Sequence, residues 1–201
     1  ARSTVLPTGV SLPLTIRPGW TSDRRNLPKP PLSRAGSPGT SFVTATRPVT
    51  KLEDLAGCDL VIEAVTENIA VKREVFSTLD AVCAPDAVLA TNTSSLSVTE
   101  IAAFAKRPER VLGLHFFNPV PLMKLVEIIR ALPTDDAAFE RAKGYVETIG
   151  KTPVIAKDAP GFVVNRLLVP YLIDAIRVYE SGLATKEDID AGMKLGCGHP
   201  M

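Results

Sequence analysis

Val111–Glu127 reads VLGLHFFNPVPLMKLVE, and two short apolar runs inside it decide how the rest of the chain is read. The run Val111-Leu112-Gly113-Leu114 has the length and composition of a buried strand. His115 then lies at that strand's C-terminal end, where open α/β sheets hold their ligands. Glu127 closes the second run, Leu125-Val126, and a carboxylate on a neighbouring strand can hydrogen-bond one ring nitrogen and leave the other free. That is the arrangement of an oriented general base. A lone histidine on an apolar strand is more often a satisfied core residue, so the surrounding pattern has to decide.

Outward from this stretch, strands and helices alternate from residue 51 onward. Asp59–Val65 reads as a strand, and a helix follows with Val71, Val75, Phe76, Leu79 and Val82 at helical spacing. Ala87–Ala90 is the next strand, and Ser97 with Glu100 forms the capping box of a helix whose Ile101 and Phe104 face the sheet. After the Val111 strand, Leu125–Arg130 is another. A helix from Thr134 buries Ala138, Ala142, Tyr145 and Ile149 and stops at Gly150, and Pro153–Ala156 closes the series. The alternation predicts an α/β fold with a largely parallel sheet and helices packed on its faces.

Beyond Asp158-Ala159-Pro160-Gly161 the character changes. Phe162–Ser181 reads as one long apolar helix ended by Gly182, with Pro170 inside it, and Thr185 with Asp188 caps a further helix through Met193. Three parts follow: a Pro/Arg/Ser-rich leader over 1–44, expected to be disordered; a partial Rossmann-type domain over 45–157; and the N-terminal part of an all-helical domain over 158–201.

The 201 residues are 45% hydrophobic and 22% charged, which suits a globular chain, and no apolar run reaches membrane-spanning length. Three widely spaced cysteines, none grouped with a histidine, argue against a disulfide framework or a metal site and fit a reducing compartment. The net charge of +1 hides an asymmetry, because residues 1–50 carry seven Arg/Lys and one acid, Asp23. A transit peptide or a nucleic-acid-binding arm could have that composition, yet Pro7, Pro13 and Pro18 interrupt any amphipathic helix. Neither a nucleic-acid nor a membrane partner is expected.

Four blocks occur in order around His115: DLVIEAVTENIAV from Asp59, TNTSSL with Ser94 and Ser95, LHFFNPVP running into MKLVE, and KDAPGFVVNRLLV with Asn165. Over about residues 45 to 201 the chain resembles the L-3-hydroxyacyl-CoA dehydrogenase family, and NPVPLMKLVEII looks more like the stand-alone, 3-hydroxybutyryl-CoA type than the domain fused to an enoyl-CoA hydratase. The resemblance implies NAD-dependent oxidation of an L-3-hydroxyacyl-CoA in fatty-acid β-oxidation or hydroxybutyryl-CoA metabolism. It implies His115 as the base and Glu127 as its carboxylate partner. Ser94 is similar to the family serine that meets the reacting oxygen, Asn165 to the amide that holds the substrate carbonyl, and Glu67, Lys72, Ser94 and Asn118 to positions that contact NAD. A homodimer in the cytoplasm, or in the mitochondrial matrix of a eukaryote, is the family expectation, and none of these residues implies a metal.

One family element is not found. Dinucleotide folds hold the pyrophosphate with G-x-G-x-x-G between a strand and a helix, because only glycine lets the backbone approach and point its N–H groups at the phosphates. Gly36 and Gly39 in GSPGTS have the wrong spacing and follow no strand. The alternative expectation is therefore a relative that keeps the crevice, cannot hold NAD, and acts as a binding or structural protein.

Overall fold

The computed structural model describes residues 2–5, 11–16 and 49–199. Seven strands form one sheet in chain order: β1 (Arg2–Val5), β2 (Ser11–Ile16), β3 (Leu60–Glu63), β4 (Val88–Thr91), β5 (Val111–Phe116), β6 (Leu125–Arg130) and β7 (Thr152–Lys157). Apart from β1 and β2, the expected disordered leader lies outside the described residues.

Strands β3, β4 and β5 run parallel, joined by α1 (Ile69–Val82) and α2 (Val98–Ala102). Asn68 caps α1 by accepting the N–H groups of Ala70 and Val71, and Ser97 caps α2 by accepting that of Glu100. β1 pairs antiparallel with β2 and β2 with β3, and from β3 onward the largely parallel order is interrupted once, where β6 pairs antiparallel with β5 before β7 resumes parallel to β6. The cause is the connection. Residues 117–124 contain no helix, and a parallel return needs roughly a dozen residues or more, so the chain can only double back. Lys151 pins this loop by donating from Nζ to the carbonyls of Val120 and Met123, each at 2.6 Å.

Period-two alternation splits the core between the two faces of the sheet. Val61, Leu89, Val111 and Ile129 pack under α1 and α2 with Phe76, Leu79, Val98 and Ile101. Leu60, Ile62, Val88, Ala90, Leu112, Leu114, Val126 and Ile128 face the opposite way, onto α3 (Asp136–Thr148), which contributes Ala138, Phe139, Ala142, Tyr145 and Val146. Gly113 stands on the first face where space is scarcest: a Cβ there would lie 3.0 Å from Ile129 Cβ and 3.2 Å from Val98 Cγ2.

The chain divides into two compact units at Phe162/Val163. The second contains α4 (Val164–Glu180), with Pro170 inside it, and α5 (Lys186–Cys197), capped by Thr185 and longer by about a turn than its sequence pattern indicates. Left-handed glycines at 150 and 182 follow α3 and α4, as C-terminal stop signals do. Among the described residues no helix is long and apolar enough to cross a membrane.

Candidate active site

The apolar face under α1 and α2 ends in polar residues at the carboxyl ends of the parallel strands. Following the alternation from Val61, Leu89, Val111 and Ile129, the positions reaching that edge are Glu63, Thr91, His115 and Glu127. His115 and Glu127 are directly paired across β5 and β6, and Nδ1 of the ring lies 2.7 Å from Glu127 Oε2. A carboxylate only accepts, so Nδ1 carries the proton and Nε2 is the bare nitrogen of the neutral ring. Nε2 accepts from the Ser94 hydroxyl at 3.0 Å. His115 is 4% exposed and Glu127 fully buried, so both hydrogen bonds form in surroundings poor in water. The rings of Phe117 and Phe162 stand 4.6 Å and 5.5 Å from the imidazole.

Ser94 is placed by the turn that follows β4. Thr93 Oγ1 accepts the Leu96 N–H at 3.0 Å and donates to the Glu67 carboxylate, which also accepts the Ser94 N–H at 2.6 Å. Asn92 Oδ1 accepts the Phe116 N–H at 2.9 Å and ties the same turn to the end of β5. Glu67, half exposed, thus faces the turn that carries Ser94.

Lys72 is the position where the simplest reading of the sequence, one more charge on a solvated helix face, differs most from the structure. It is 1% exposed, and its ammonium donates to both oxygens of Glu63, at 2.7 and 2.9 Å. Glu63, fully buried, also accepts from Thr91 Oγ1 and the Val65 N–H, and Glu67 Oε2 lies 3.6 Å from Lys72. A buried carboxylate survives only with such a set of donors. Sequence reasoning passed over Glu63, although an acid ending the apolar strand Leu60-Val61-Ile62 was a visible signal. It also missed Thr91, Thr93 and the two flanking phenylalanines.

Asp158, just past β7, accepts from Ser97 Oγ and from the N–H groups of Val98 and Thr99 at the start of α2. Burial alone would raise its carboxyl, but the donors from Thr99, Ser97 and Val98 outweigh it and hold the group below the usual carboxylate range. Asn118 is exposed on the loop after β5. Asn165 lies in the first turn of α4, in the second unit, and is half buried. His199 follows α5 and stacks on Tyr171 at 5.3 Å.

The residues fit a dinucleotide in part. At the strand ends Ser94, His115 and Glu67 supply polar groups suited to hydrogen-bonding a bound ligand. The strand beside β3 is the antiparallel β2, and the described residues contain no glycine-rich turn between a strand and a helix to cradle a pyrophosphate.

A mostly parallel sheet covered by helices on both faces, with a histidine and a carboxylate paired at the carboxyl ends of its parallel strands, defines a Rossmann-type α/β protein. The model of the 3-hydroxyacyl-CoA dehydrogenase NAD binding domain matches residues 36–159, and that of the family's C-terminal domain matches residues 161–201. The chain belongs to the 3-hydroxyacyl-CoA dehydrogenase family, whose cofactor is NAD. It is 51% identical over 161 residues to 3-hydroxybutyryl-CoA dehydrogenase of Clostridioides difficile, covering 80% of this chain and 56% of that protein. It is 56% identical over 143 residues to the mitochondrial hydroxyacyl-coenzyme A dehydrogenase of Homo sapiens, covering 71% and 46%. The crystal structure of M. tuberculosis FadB2 superposes with a TM-score of 0.76 at 54% identity, over 78% of this chain and 55% of that one. That of (S)-3-hydroxybutyryl-CoA dehydrogenase PaaH1 from Ralstonia eutropha gives 0.76 at 45% identity, over 77% and 55%. The chain spans about half the length of the relatives it matches.

Proposed function

We propose that the chain carries the acid–base half of an NAD-dependent 3-hydroxyacyl-CoA dehydrogenase site, with His115 as the general base. The observation that carries this reading is the double hydrogen bond of the imidazole, Nδ1–H to Glu127 and Nε2 to Ser94. A substrate hydroxyl reaching Nε2 gives up its proton there, and the O–H electrons become the second bond of the new carbonyl. The chemistry a bound NAD would supply is that of an acceptor for the hydride from the same carbon. Glu127 stabilises the imidazolium as it forms, because a buried carboxylate against Nδ1–H strengthens when the ring becomes cationic. When a substrate hydroxyl takes the place of Ser94 at Nε2, the one Ser94 O–H, 3.0 Å from that nitrogen, turns from the ring to the reacting oxygen and donates to it.

Glu67, Lys72 and Asn118 are assigned to the cofactor side and Asn165 to the substrate carbonyl, on the match of their motifs to the family. The relatives' names support an acyl-CoA substrate, with 3-hydroxybutyryl-CoA the first to try. We assign residues 45–157 to the Rossmann-type domain and 158–201 to the helical one, and a homodimer in the cytoplasm, or in the mitochondrial matrix for a eukaryotic source, completes the reading.

The pyrophosphate side favours a second reading, since no G-x-G-x-x-G occurs in the sequence. A chain of this kind would keep the crevice and fail to hold NAD. Calorimetry with NADH separates the two: saturable heat supports the dehydrogenase, and its absence at millimolar dinucleotide supports the binding or structural protein. Formation of NADH from 3-hydroxybutyryl-CoA, lost in His115→Gln, then tests the base.

A further inference from the structure

Phe162 holds a backbone conformation that its side chain disfavours. Its φ is +48°, in the left-handed region where a bulky residue is a steric outlier, and Gly161 before it is left-handed as well at +76°. The segment leading to it is fixed at both ends. Asp158 is anchored on the three donors at the start of α2, and the Phe162 N–H donates back to the Ala159 carbonyl at 2.9 Å, closing a turn over Pro160 and Gly161. Proline at the second position and a left-handed glycine at the third are what such a turn demands. Strain of this kind persists only where the surroundings over-determine it, and it concentrates where a side chain must be aimed.

The turn aims the ring at the imidazole. Phe162 is 4% exposed, packs in the core cluster under α1 and α2, and sets its ring edge-on to His115 with centroids 5.5 Å apart at 63°. A residue that only filled this core could do so from an ordinary backbone.

We propose that Phe162 is a positioning residue for His115. Its ring, together with that of Phe117, closes the imidazole off from water and fixes its plane, so that Nδ1–H stays on Glu127 and Nε2 stays towards Ser94. The proposal rests on the reading of His115 as the base, but its test follows the imidazole proton rather than turnover, so the two fail separately.

The test is solvent exchange of the His115 Nδ1–H in the whole chain labelled with ¹⁵N-histidine, with His199, stacked on Tyr171, as the internal reference. The expected result is a slowly exchanging Nδ1–H and a single neutral tautomer in the wild type. In Phe162→Leu, exchange rises about tenfold or more and the tautomers mix, while His199 is unchanged and the chain keeps its cooperative thermal transition. Wild-type exchange as fast as that of an open imidazole overturns the proposal without any variant. So does Phe162→Leu, or Phe162→Met should the leucine variant not fold, with the proton as protected as in the wild type.

Discussion

His115 and Glu127 occupy the same rung of the antiparallel pair β5 and β6, with Nδ1 and Oε2 2.7 Å apart inside a site from which water is nearly excluded. Directly opposed residues have their Cβ atoms about 4.5–5.5 Å apart. The hydrogen bond is therefore built by sheet register rather than by loop flexibility. Glu127→Gln keeps the shape and an acceptor but removes the charge that steadies an imidazolium. Turnover of 3-hydroxybutyryl-CoA should fall roughly 10²-fold or more, and His115→Gln should cost about 10²–10⁴, the scale of general-base loss. Initial rates of NADH formation check both, and a glutamine variant at either position with the wild-type rate removes that residue from the mechanism.

The Lys72–Glu63 pair should behave as a unit. Lys72→Met leaves the fully buried Glu63 carboxylate without its cation and should cost about 3–5 kcal/mol, whereas Glu63→Gln/Lys72→Met should recover most of that loss. Urea unfolding of the wild type, Lys72→Met, Glu63→Gln and the double variant gives the coupling. A single variant within about 1 kcal/mol of the wild type means the pair contributes little beyond packing.

Asp158 should make stability depend on acid. Its folded carboxyl is held below the unfolded value, so the stabilisation is present above about pH 4 and lost as pH falls through the folded pKa. Asp158→Asn should cost about 1–2 kcal/mol at pH 7, the scale of a lost charged cap, and the gap to the wild type should close in strong acid. Parallel denaturation curves from pH 7 downward decide it, and a gap that does not change with pH rules out the charge as the cause.

Gly113→Ala should destabilise the chain by about 1–3 kcal/mol, because its Cβ meets Ile129 and Val98 at 3.0–3.2 Å in a packed interior. The same alanine at Gly57, where nothing lies within 4 Å, is the control. Equal midpoints for the two variants would show that β5 and β6 give way easily beside the site.

Tyr145→Phe should be neutral or slightly stabilising. Among the described residues the buried hydroxyl has no hydrogen-bond partner, and burial pushes its pKa upward, so removing it relieves a desolvation cost at no loss of packing. Thermal unfolding checks this, and a clear loss of stability would reveal a partner for the hydroxyl.

The local choices were legible because they rest on short-range chemistry. Asn68, Ser97 and Thr185 announce helix starts, Gly150 and Gly182 announce stops, and the unbroken apolar runs Leu60–Ile62 and Val111–Leu114 predict strands buried on both faces. The antiparallel turn into β6 was also present in principle, in the absence of a helix between Phe116 and Leu125, but the strand–helix alternation elsewhere outweighed it.

The sequence by itself determined the residue types at the crevice, the family they point to, and the expectation that His115 and Glu127 lie on neighbouring strands. Only the tertiary structure decided that Lys72 turns inward onto Glu63, that Glu67 secures the turn bearing Ser94, and that Phe162 reaches His115 from forty-seven positions along the chain. Those pairings depend on which strand edges and helix faces close over one another, and a charged or aromatic side chain carries no local signal of the partner that burial will give it.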